Sequence, residues 1–264
     1  FEYEANTPVL TDINLQINPG EHLAITGPSG SGKSTLISLL PRFNDPTSGK
    51  ITIGGHDIAD MRMQDVRGMF GFAFQEAFLF KASILDNLLY AKPTASMANI
   101  KNACKLTGAH SFIEKMPEGY NTQIGGQGVE LSHGQKQRIN LARALIRDTQ
   151  SLVIDETTAS IDAESSRKII EVVLEQMLGR TVIIVTHDPT ILALVQRVIT
   201  LDKQTIMNDQ SNKSQNMKHP AAKLGALLLS ASILFGFAGC STTTSTSMIS
   251  MEDPKSTGVV FEVD

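Results

Sequence analysis

Short apolar runs bounded by turn residues predict a series of buried strands along the chain. Residues Ile13–Ile17 alternate apolar and polar positions, as a strand with one buried face does. Residues Leu23–Ile25, Ser151–Ile154 and Thr181–Val185 are almost wholly apolar, which is the pattern of parallel strands covered on both faces. Shorter strand patterns occur at Phe1–Glu4, Lys50–Ile53 and Val198–Leu201.

Helical patterns separate these strands. Residues 34–40 have a helical pattern that ends before Pro41, since proline cannot continue a helix. A second helical pattern, from about Ala163 to Leu178, lies between two apolar strands. Strand, helix and strand at this spacing predict a parallel βαβ unit and an α/β fold. Residues 84–150 are predicted to be mostly helical.

Composition excludes several classes of protein. The chain has 264 residues, a net charge of −4 and 41% hydrophobic residues, enough to form a core. An acidic balance argues against a dedicated nucleic-acid binder, so no nucleic-acid partner is expected. Two cysteines are too few for a disulfide scaffold. No unbroken run of 18 apolar residues marks an ordinary membrane-spanning helix.

A glycine-rich loop follows the strand at residues 23–25. Its sequence GPSGSGKS fits the phosphate-loop pattern G-x-x-x-x-G-K-[ST] at every fixed position. Glycines let several backbone N–H groups point at one anion, and the following helix adds its positive end. Lys33 would supply charge to the β- and γ-phosphates, and Ser34 a hydroxyl to Mg²⁺. The predicted nucleotide-binding residues are Gly27, Pro28, Ser29, Gly30, Ser31, Gly32, Lys33, Ser34 and Thr35.

An acidic pair, Asp155 and Glu156, ends the strand that begins at Ser151. Without the phosphate loop this pair would be interpreted as surface acids. With the loop, the first acid can help to hold Mg²⁺. The second can orient or deprotonate an attacking water. The pair is therefore the candidate metal and water site.

A third motif lies between the phosphate loop and the acidic pair. Residues Leu131–Arg138, with the sequence LSHGQKQR, resemble the LSGGQ signature of ATP-binding cassette (ABC) ATPases. Phosphate loop, signature and acidic strand in this order are specific to that family. Gln75 resembles the family's Q-loop glutamine, and His187 resembles its switch histidine. Ala159–Asp162 resembles the D-loop, and Tyr3 lies where the family has an adenine-stacking aromatic residue.

Finer features are similar to ABC exporters. Residues 78–87 resemble the exporter segment after the Q-loop, and residues 116–128 resemble the segment before the signature. The resemblance implies a P-loop NTPase core, an antiparallel β region and a helical signature subdomain. In exporters the ATPase domain follows a membrane domain on the same chain. The chain begins with Phe1 rather than Met, so we expect that its natural start is missing. The resemblance to exporters also implies a location on the cytoplasmic face of the bacterial inner membrane.

The resemblance also implies a head-to-tail dimer with a second ABC ATPase domain, identical or not. Each ATP would lie between the phosphate loop of one copy and the signature of the other, so that ATP joins the copies and hydrolysis releases them. The partner's ATP would be contacted by Ser132, His133, Gly134, Gln135 and Asp162.

The resemblance assigns the following roles. Glu156 would be the general base or water-orienting group, and His187 would hydrogen-bond the γ-phosphate. Asp155 would act on Mg²⁺ through water. Gln75 would reach the metal and the water and report occupancy to the membrane domain. The predicted catalytic set is Glu156, His187, Gln75 and Lys33, and the predicted metal-binding residues are Ser34, Gln75 and Asp155.

The chain departs from the family pattern at three positions. His133 replaces the first glycine of the signature pair, and its imidazole is expected to reshape the contact with the partner's ATP. Thr157 stands where many members have proline. Gly126 replaces an acid common before the exporter signature. None of these changes removes a catalytic group.

Two alternatives stay open. A non-transport ABC ATPase would carry a long coiled coil between phosphate loop and signature, and no heptad run occurs there. A regulatory nucleotide-binding module would dimerise without turnover. The presence of both Glu156 and His187 argues for hydrolysis.

The composition changes toward the end of the chain. The ATPase domain is predicted over residues 1–207, with its helical subdomain at about 76–150 and a polar linker at 208–216. Residues 217–264 resemble a bacterial lipoprotein signal peptide, with a basic start, an apolar run and Cys240. This tail is predicted to be disordered or foreign to the native protein. The alternative is an apolar helix that packs on the domain or touches a membrane.

Overall fold

The computed structural model describes residues 1–156, 161–212 and 259–263. Twelve strands are present in this part of the chain. They are β1 (Glu2–Glu4), β2 (Thr7–Pro8), β3 (Ile13–Ile17), β4 (His22–Thr26), β5 (Lys50–Ile53), β6 (His56–Asp57), β7 (Phe70–Ala73), β8 (Ser151–Asp155), β9 (Thr181–Val185), β10 (Arg197–Asp202), β11 (Thr205–Ser211) and β12 (Val259–Val263).

Eight α-helices lie between the strands in the same part of the chain. They are α1 (Lys33–Leu39), α2 (Met63–Gly68), α3 (Ile84–Leu89), α4 (Met97–Leu106), α5 (His110–Ile113), α6 (His133–Ile146), α7 (Ala163–Gln176) and α8 (Pro189–Leu192). Short 3₁₀ turns occur at Ile58–Asp60 and Gly119–Asn121. None of the helices in the described ranges has the length and apolar character needed to cross a membrane.

A six-stranded sheet lies at the centre, in the order β11-β10-β4-β9-β8-β7. Five of its strands are parallel, and β11 pairs antiparallel with β10 at one edge. Strand β8, helix α7 and strand β9 form the βαβ unit predicted from the sequence, with β8 and β9 as parallel neighbours. This prediction is confirmed.

The central strands are apolar at successive positions because the sheet is covered on both faces. Ile183 and Val185 of β9 belong to a core shared with α1 and β3. Val182 and Ile184 point to the other face, where they join residues of α6 and α7. Since side chains alternate along a strand, a strand buried on both faces must be a continuous apolar run.

The helical region between β7 and β8 has a core of its own, formed by α3, α4, α5 and α6. Helix α6 connects this core to the central sheet. Its Ile139 and Ala142 face the helical core, whereas Leu141 and Ala144 face the sheet. The start of α6 therefore has a fixed place relative to the sheet.

A second, antiparallel sheet has the order β3-β12-β5-β6. The side chains of β3 alternate between buried and exposed, with Ile13, Leu15 and Ile17 buried, as the sequence predicts. Strands β1 and β2 form a separate two-stranded ribbon.

The structure differs from the predicted boundaries at two places. Strand β11 extends to Ser211, so the predicted linker at 208–216 begins inside a strand. Its polar residues suit a strand whose side chains are mostly exposed at a sheet edge. Val259–Val263, predicted to lie in a tail outside the fold, form a central strand of the antiparallel sheet.

Other sequence predictions fall on parts of the chain outside the described ranges. The signal-peptide-like segment with Cys240 lies outside the described residues, as do residues 213–216 of the linker. Thr157 and the first two residues of the D-loop, Ala159 and Ser160, also lie outside them.

Candidate functional site

The phosphate loop connects β4 to α1, and its conformation requires glycine. Gly27 has φ 144°, and a Cβ there would lie 1.9 Å from the carbonyl oxygen of Leu201. A Cβ on Gly32, with φ 98°, would lie 2.7 Å from a methyl carbon of Leu10. Any larger residue would push the loop away from the chain segments behind it.

Lys33, the first residue of α1, turns back over the loop. Its side chain is buried, and Nζ donates to the carbonyl oxygens of Gly27 and Pro28 at 2.9 Å each. An ammonium group has three donors, so these two bonds leave one for a phosphate oxygen. The positive charge of the Lys33 ammonium is therefore held inside the phosphate loop.

Ser34 contacts the acidic strand. Its Oγ donates to Oδ1 of Asp155 at 3.3 Å. Burial raises the pKa of Asp155, and the hydrogen bond from Ser34 opposes that shift. Both groups are hard oxygen donors, the type that Mg²⁺ prefers.

The described residues contain no group of three or more His, Cys, Asp or Glu side chains that could hold a metal. The oxygen pair of Ser34 and Asp155 nevertheless fits Mg²⁺, which is commonly bound through one or two carboxylates together with phosphates and water.

Glu156 is held between two neighbouring strands. Its backbone N–H donates to the carbonyl of Val185 at 3.1 Å, and its φ of 44° is left-handed. Its side-chain Oε2 accepts from Nε2 of Gln75 at 2.9 Å, and Oε1 lies 3.1 Å from Nε2 of His187. Positive φ in a residue other than glycine is a strain that is found at functional sites.

These three side chains follow three adjacent parallel strands. Gln75 comes after β7, Glu156 after β8 and His187 after β9. Because ligands of such sheets bind beyond the carboxyl ends of the strands, the cluster is where a substrate is expected.

A cavity of about 390 Å³ brings all four predicted catalytic residues together. It is lined by Lys33, Ser34, Thr35, Gln75, Glu156 and His187, together with Val9 and part of the glycine loop. The sequence does not predict Val9 at the site, since an isolated apolar residue after a short strand carries no motif.

Tyr3 is an exposed aromatic residue beside this cavity. The residue is 58% exposed. Its ring packs edge to face against Phe1, with 4.9 Å between the ring centroids. Its hydroxyl donates to Oγ1 of Thr35 at 3.3 Å. The ring can therefore offer a flat apolar surface next to the phosphate loop.

The signature lies at the start of α6. Ser132 caps the helix: its Oγ accepts from the N–H of Gln135, and Oε1 of Gln135 accepts from the N–H of Ser132. Nε2 of His133 lies 3.2 Å from Nε2 of Gln137. The sequence pattern S-x-x-Q forms this reciprocal cap locally.

The structure does not bring the signature to the phosphate loop of the same chain. None of Ser132, His133, Gly134 and Gln135 lines the cavity around Lys33. Asp162 does not line it either, and instead caps α7 by accepting from the N–H of Ser165 at 2.9 Å. That hydrogen bond lowers the pKa of Asp162.

Comparison with known proteins supports the interpretation of the motifs. Residues 10–159 match the family model described as ABC transporter. The chain is 42% identical over 217 residues to an ATP-dependent lipid A-core flippase of Alkalilimnicola ehrlichii, with 81% of this chain and 36% of that protein covered. It is 41% identical over 212 residues to the heterocyst differentiation ATP-binding protein HepA of Nostoc sp., with 80% and 35% covered.

A solved structure supports the same family assignment. It is described as a bacterial Atm1-family ABC exporter with ATP bound, and it superposes with a TM-score of 0.77 at 33% identity. The match covers 80% of this chain and 37% of that one. The chain thus spans about a third of the length of these proteins. Because the family model matches more than half of the chain, from before the phosphate loop to beyond the acidic pair, the chain belongs to the ABC transporter family.

Proposed function

We propose that this chain is the ATP-binding and ATP-hydrolysing part of an ABC exporter. The observation that carries the proposal is the cavity at the carboxyl ends of the parallel strands. There the phosphate loop with Lys33 faces the cluster of Gln75, Glu156 and His187. Hydrolysis of a nucleoside triphosphate requires an anion site next to an oriented carboxylate.

The phosphate loop would bind the nucleotide. Backbone N–H groups and the start of α1 favour an anion, and the Lys33 ammonium adds a charge-assisted hydrogen bond. Tyr3 would stack on the base, since its ring is exposed and is linked through Thr35 to the loop. The flippase relative is named as ATP-dependent and the solved exporter has ATP bound, so ATP is the nucleotide that we propose.

Mg²⁺ is the metal that we propose for the site. Ser34 and Asp155 would hold it, with Gln75 within reach, since all three offer oxygen atoms. The ion would neutralise charge on the phosphates. Asp155 suits this role because its carboxylate already accepts a hydrogen bond from Ser34.

Glu156 would act on the attacking water. Its carboxylate is oriented by Gln75 on one oxygen and by His187 on the other. A carboxylate fixed in this way can position a water molecule and accept its proton. His187, which is half exposed at the cavity, would then hydrogen-bond the γ-phosphate.

The signature would act on a second ATPase domain, identical or not, in a head-to-tail dimer. Ser132 and His133 are exposed and are absent from the lining of their own chain's cavity. The start of a 14-residue helix is a suitable site for a phosphate anion. We propose that a second copy supplies Ser132, His133, Gly134, Gln135 and Asp162 to the first copy's ATP.

A transmembrane domain is the other partner that we propose. Phe43, Phe74, Phe78, Phe80 and Tyr90 line an aromatic groove of about 340 Å³, and Phe78 and Tyr90 are 67% and 68% exposed. Exposed apolar surface of this kind marks contacts with other proteins.

Gln75 directly follows Phe74, so one short segment borders both cavity and groove. Bound to such a membrane domain, the ATPase domain would lie on the cytoplasmic face of a bacterial inner membrane. The cargo would be bound by the membrane domain.

Binding of Mg-ATP to the 264-residue chain tests the first step. We expect Lys33→Ala to weaken binding by at least roughly tenfold, because the loop loses its only side-chain cation for the phosphates. Lys101→Ala, at an exposed position of α4, is the matched control and should bind as the unchanged chain does. Equal binding by the two variants would refute the proposed site.

Particle size tests the dimer. Glu156→Gln should retain ATP and elute as a dimer with Mg-ATP and as a monomer without it. The double variant Glu156→Gln with Lys33→Ala should stay monomeric under both conditions. A Glu156→Gln chain whose size is the same with and without ATP would contradict the head-to-tail arrangement.

A further inference from the structure

The antiparallel sheet has an unusual central strand. Strand β12 lies between β3 and β5 and is antiparallel to both. Val259 pairs with Ile17 on one side and with Ile53 on the other. The pairing continues in register along the strand, so β12 is hydrogen-bonded along both of its edges.

Without β12, strand β3 would have no strand partner among the described residues, since it pairs with no other strand there. Strand β5 would keep only the two-residue strand β6. The backbone edges of β3 and β5 that pair with β12 would then face an open gap. At the usual spacing of strands, this gap is roughly 9–10 Å wide, which accommodates one extended chain.

The direction of the neighbouring strands restricts what can fill the gap. Strands β3 and β5 are each antiparallel to β12 and therefore run parallel to each other. They cannot close directly onto each other without losing the register that aligns Ile17 with Ile53. One extended segment between them, as β12 is, completes the sheet.

The segment that fills the gap is distant in sequence. Strand β11 ends at Ser211 and β12 begins at Val259, whereas β3 and β5 belong to the first 53 residues. The segment β12 therefore resembles a peptide that is joined to its binding site by a long tether. It is not one arm of a hairpin with either neighbour. Its sequence VVFEV is β-branched and aromatic, as strand formers are.

We propose that the gap between β3 and β5 is a binding site for one extended apolar peptide segment, and that Val259–Val263 of the same chain is its occupant. The site accepts main-chain hydrogen bonds on both sides, and a β-branched residue at position 259 fills the core. This mode of recognition is strand addition, here in the middle of a sheet.

Occupancy of this site also affects the nucleotide loop. Val259 belongs to the same buried cluster as Leu36 and Leu39 of α1, the helix that begins at Lys33. The helical region has a separate core. Loss of β12 should therefore loosen the antiparallel sheet and α1 and leave α4 unchanged.

A disulfide cross-link tests the register. Val260 and Gln16 are direct partners, and Gln16 is exposed, so Gln16→Cys with Val260→Cys should cross-link under mild oxidation in a Cys240→Ser background. Asn14→Cys with Val260→Cys is the matched control: it lies two residues along the same face, roughly 7–8 Å away, beyond disulfide reach. The expected product is a cross-linked monomer in the absence of nucleotide.

Three results of this test would overturn the proposal. An absent cross-link would mean that the gap is not occupied by this segment. Equal cross-linking in the Asn14 control would mean that there is no fixed register. A cross-linked dimer would mean that a second copy supplies the strand.

Hydrogen exchange tests the coupling to the loop. Val260→Pro removes an N–H from a central strand, so the amides of β3, β5 and α1 should lose protection while those of α4 keep it. Val260→Thr retains the N–H and should exchange like the unchanged chain. Unaltered protection of β3 and β5 in Val260→Pro would refute the binding site. If Val260→Pro also loses protection in α4, the cross-link result decides.

Discussion

The phosphate loop offers a direct test of why its glycines are required. Gly27→Ala places a methyl group 1.9 Å from the carbonyl oxygen of Leu201, on the neighbouring strand β10. Gly30→Ala is the matched change in the same loop, where the added methyl meets no atom within 4 Å. Both glycines have positive φ, 144° and 78°.

The two substitutions should lower the free energy of unfolding by different amounts. At Gly27, strands β4 and β10 must move apart by roughly 1 Å, and overpacking of this kind costs about 1–3 kcal/mol. Backbone strain adds about 1–3 kcal/mol, so the free energy of unfolding should fall by about 2–6 kcal/mol. At Gly30 only left-handed strain applies, about 1–2 kcal/mol.

Denaturant unfolding of the full chain measures both values, and ATP titration measures whether the loop still binds. We expect Gly27→Ala to lose a large part of its stability and its ATP binding. Gly30→Ala should stay folded. If Gly27→Ala is within about 0.5 kcal/mol of the unchanged chain, or if Gly30→Ala is destabilised equally, the clash with Leu201 does not explain the glycine.

Three further outcomes are expected. Hydrogen bonds from Arg197, at 2.6 Å to each carboxylate oxygen, lower the pKa of Asp209. Asp209→Asn should therefore cost about 1 kcal/mol at pH 7. In unfolding curves measured over a pH series, this difference should begin to shrink near pH 4, the usual pKa of an aspartate, and should vanish only below the lowered pKa of Asp209 in the folded chain. Burial raises the pKa of Cys104 to about 11, so mass spectrometry should find it unalkylated by iodoacetamide at pH 8 until guanidinium unfolds the chain. Asn140→Ala should cost about 1–3 kcal/mol in denaturant unfolding, because the buried amide donates to the carbonyl of Phe74; a neutral result would contradict its anchoring role.

Much of the central sheet could be predicted from local pattern. Strands β8 and β9 are apolar throughout because they are buried on both faces, and no long-range information is needed to recognise them. The phosphate loop is likewise recognisable because its glycine spacing is a local requirement. The cap at Ser132 and Gln135 also forms from neighbours within four residues.

Other features depend on contacts between distant residues. Gln75, Glu156 and His187 could be named by resemblance, but the two contacts of Glu156 follow from strand order in space. Strand β12 could not be predicted because Val259–Val263 is short, and its partners are more than 200 residues earlier in the chain. The end of β11 could not be predicted because an edge strand tolerates the polar residues typical of a linker.

The rate of phosphate release from Mg-ATP by Glu156→Gln tests the central claim most directly. Glutamine keeps the shape of the side chain but cannot accept the proton of the attacking water, so the rate should fall by about 10²–10⁴-fold while ATP binding is retained. Glu171→Gln, at an exposed position of α7, should hydrolyse ATP at the rate of the unchanged chain. Equal rates for the Glu156→Gln variant and the unchanged chain would contradict the assignment of Glu156 and the mechanism built on it.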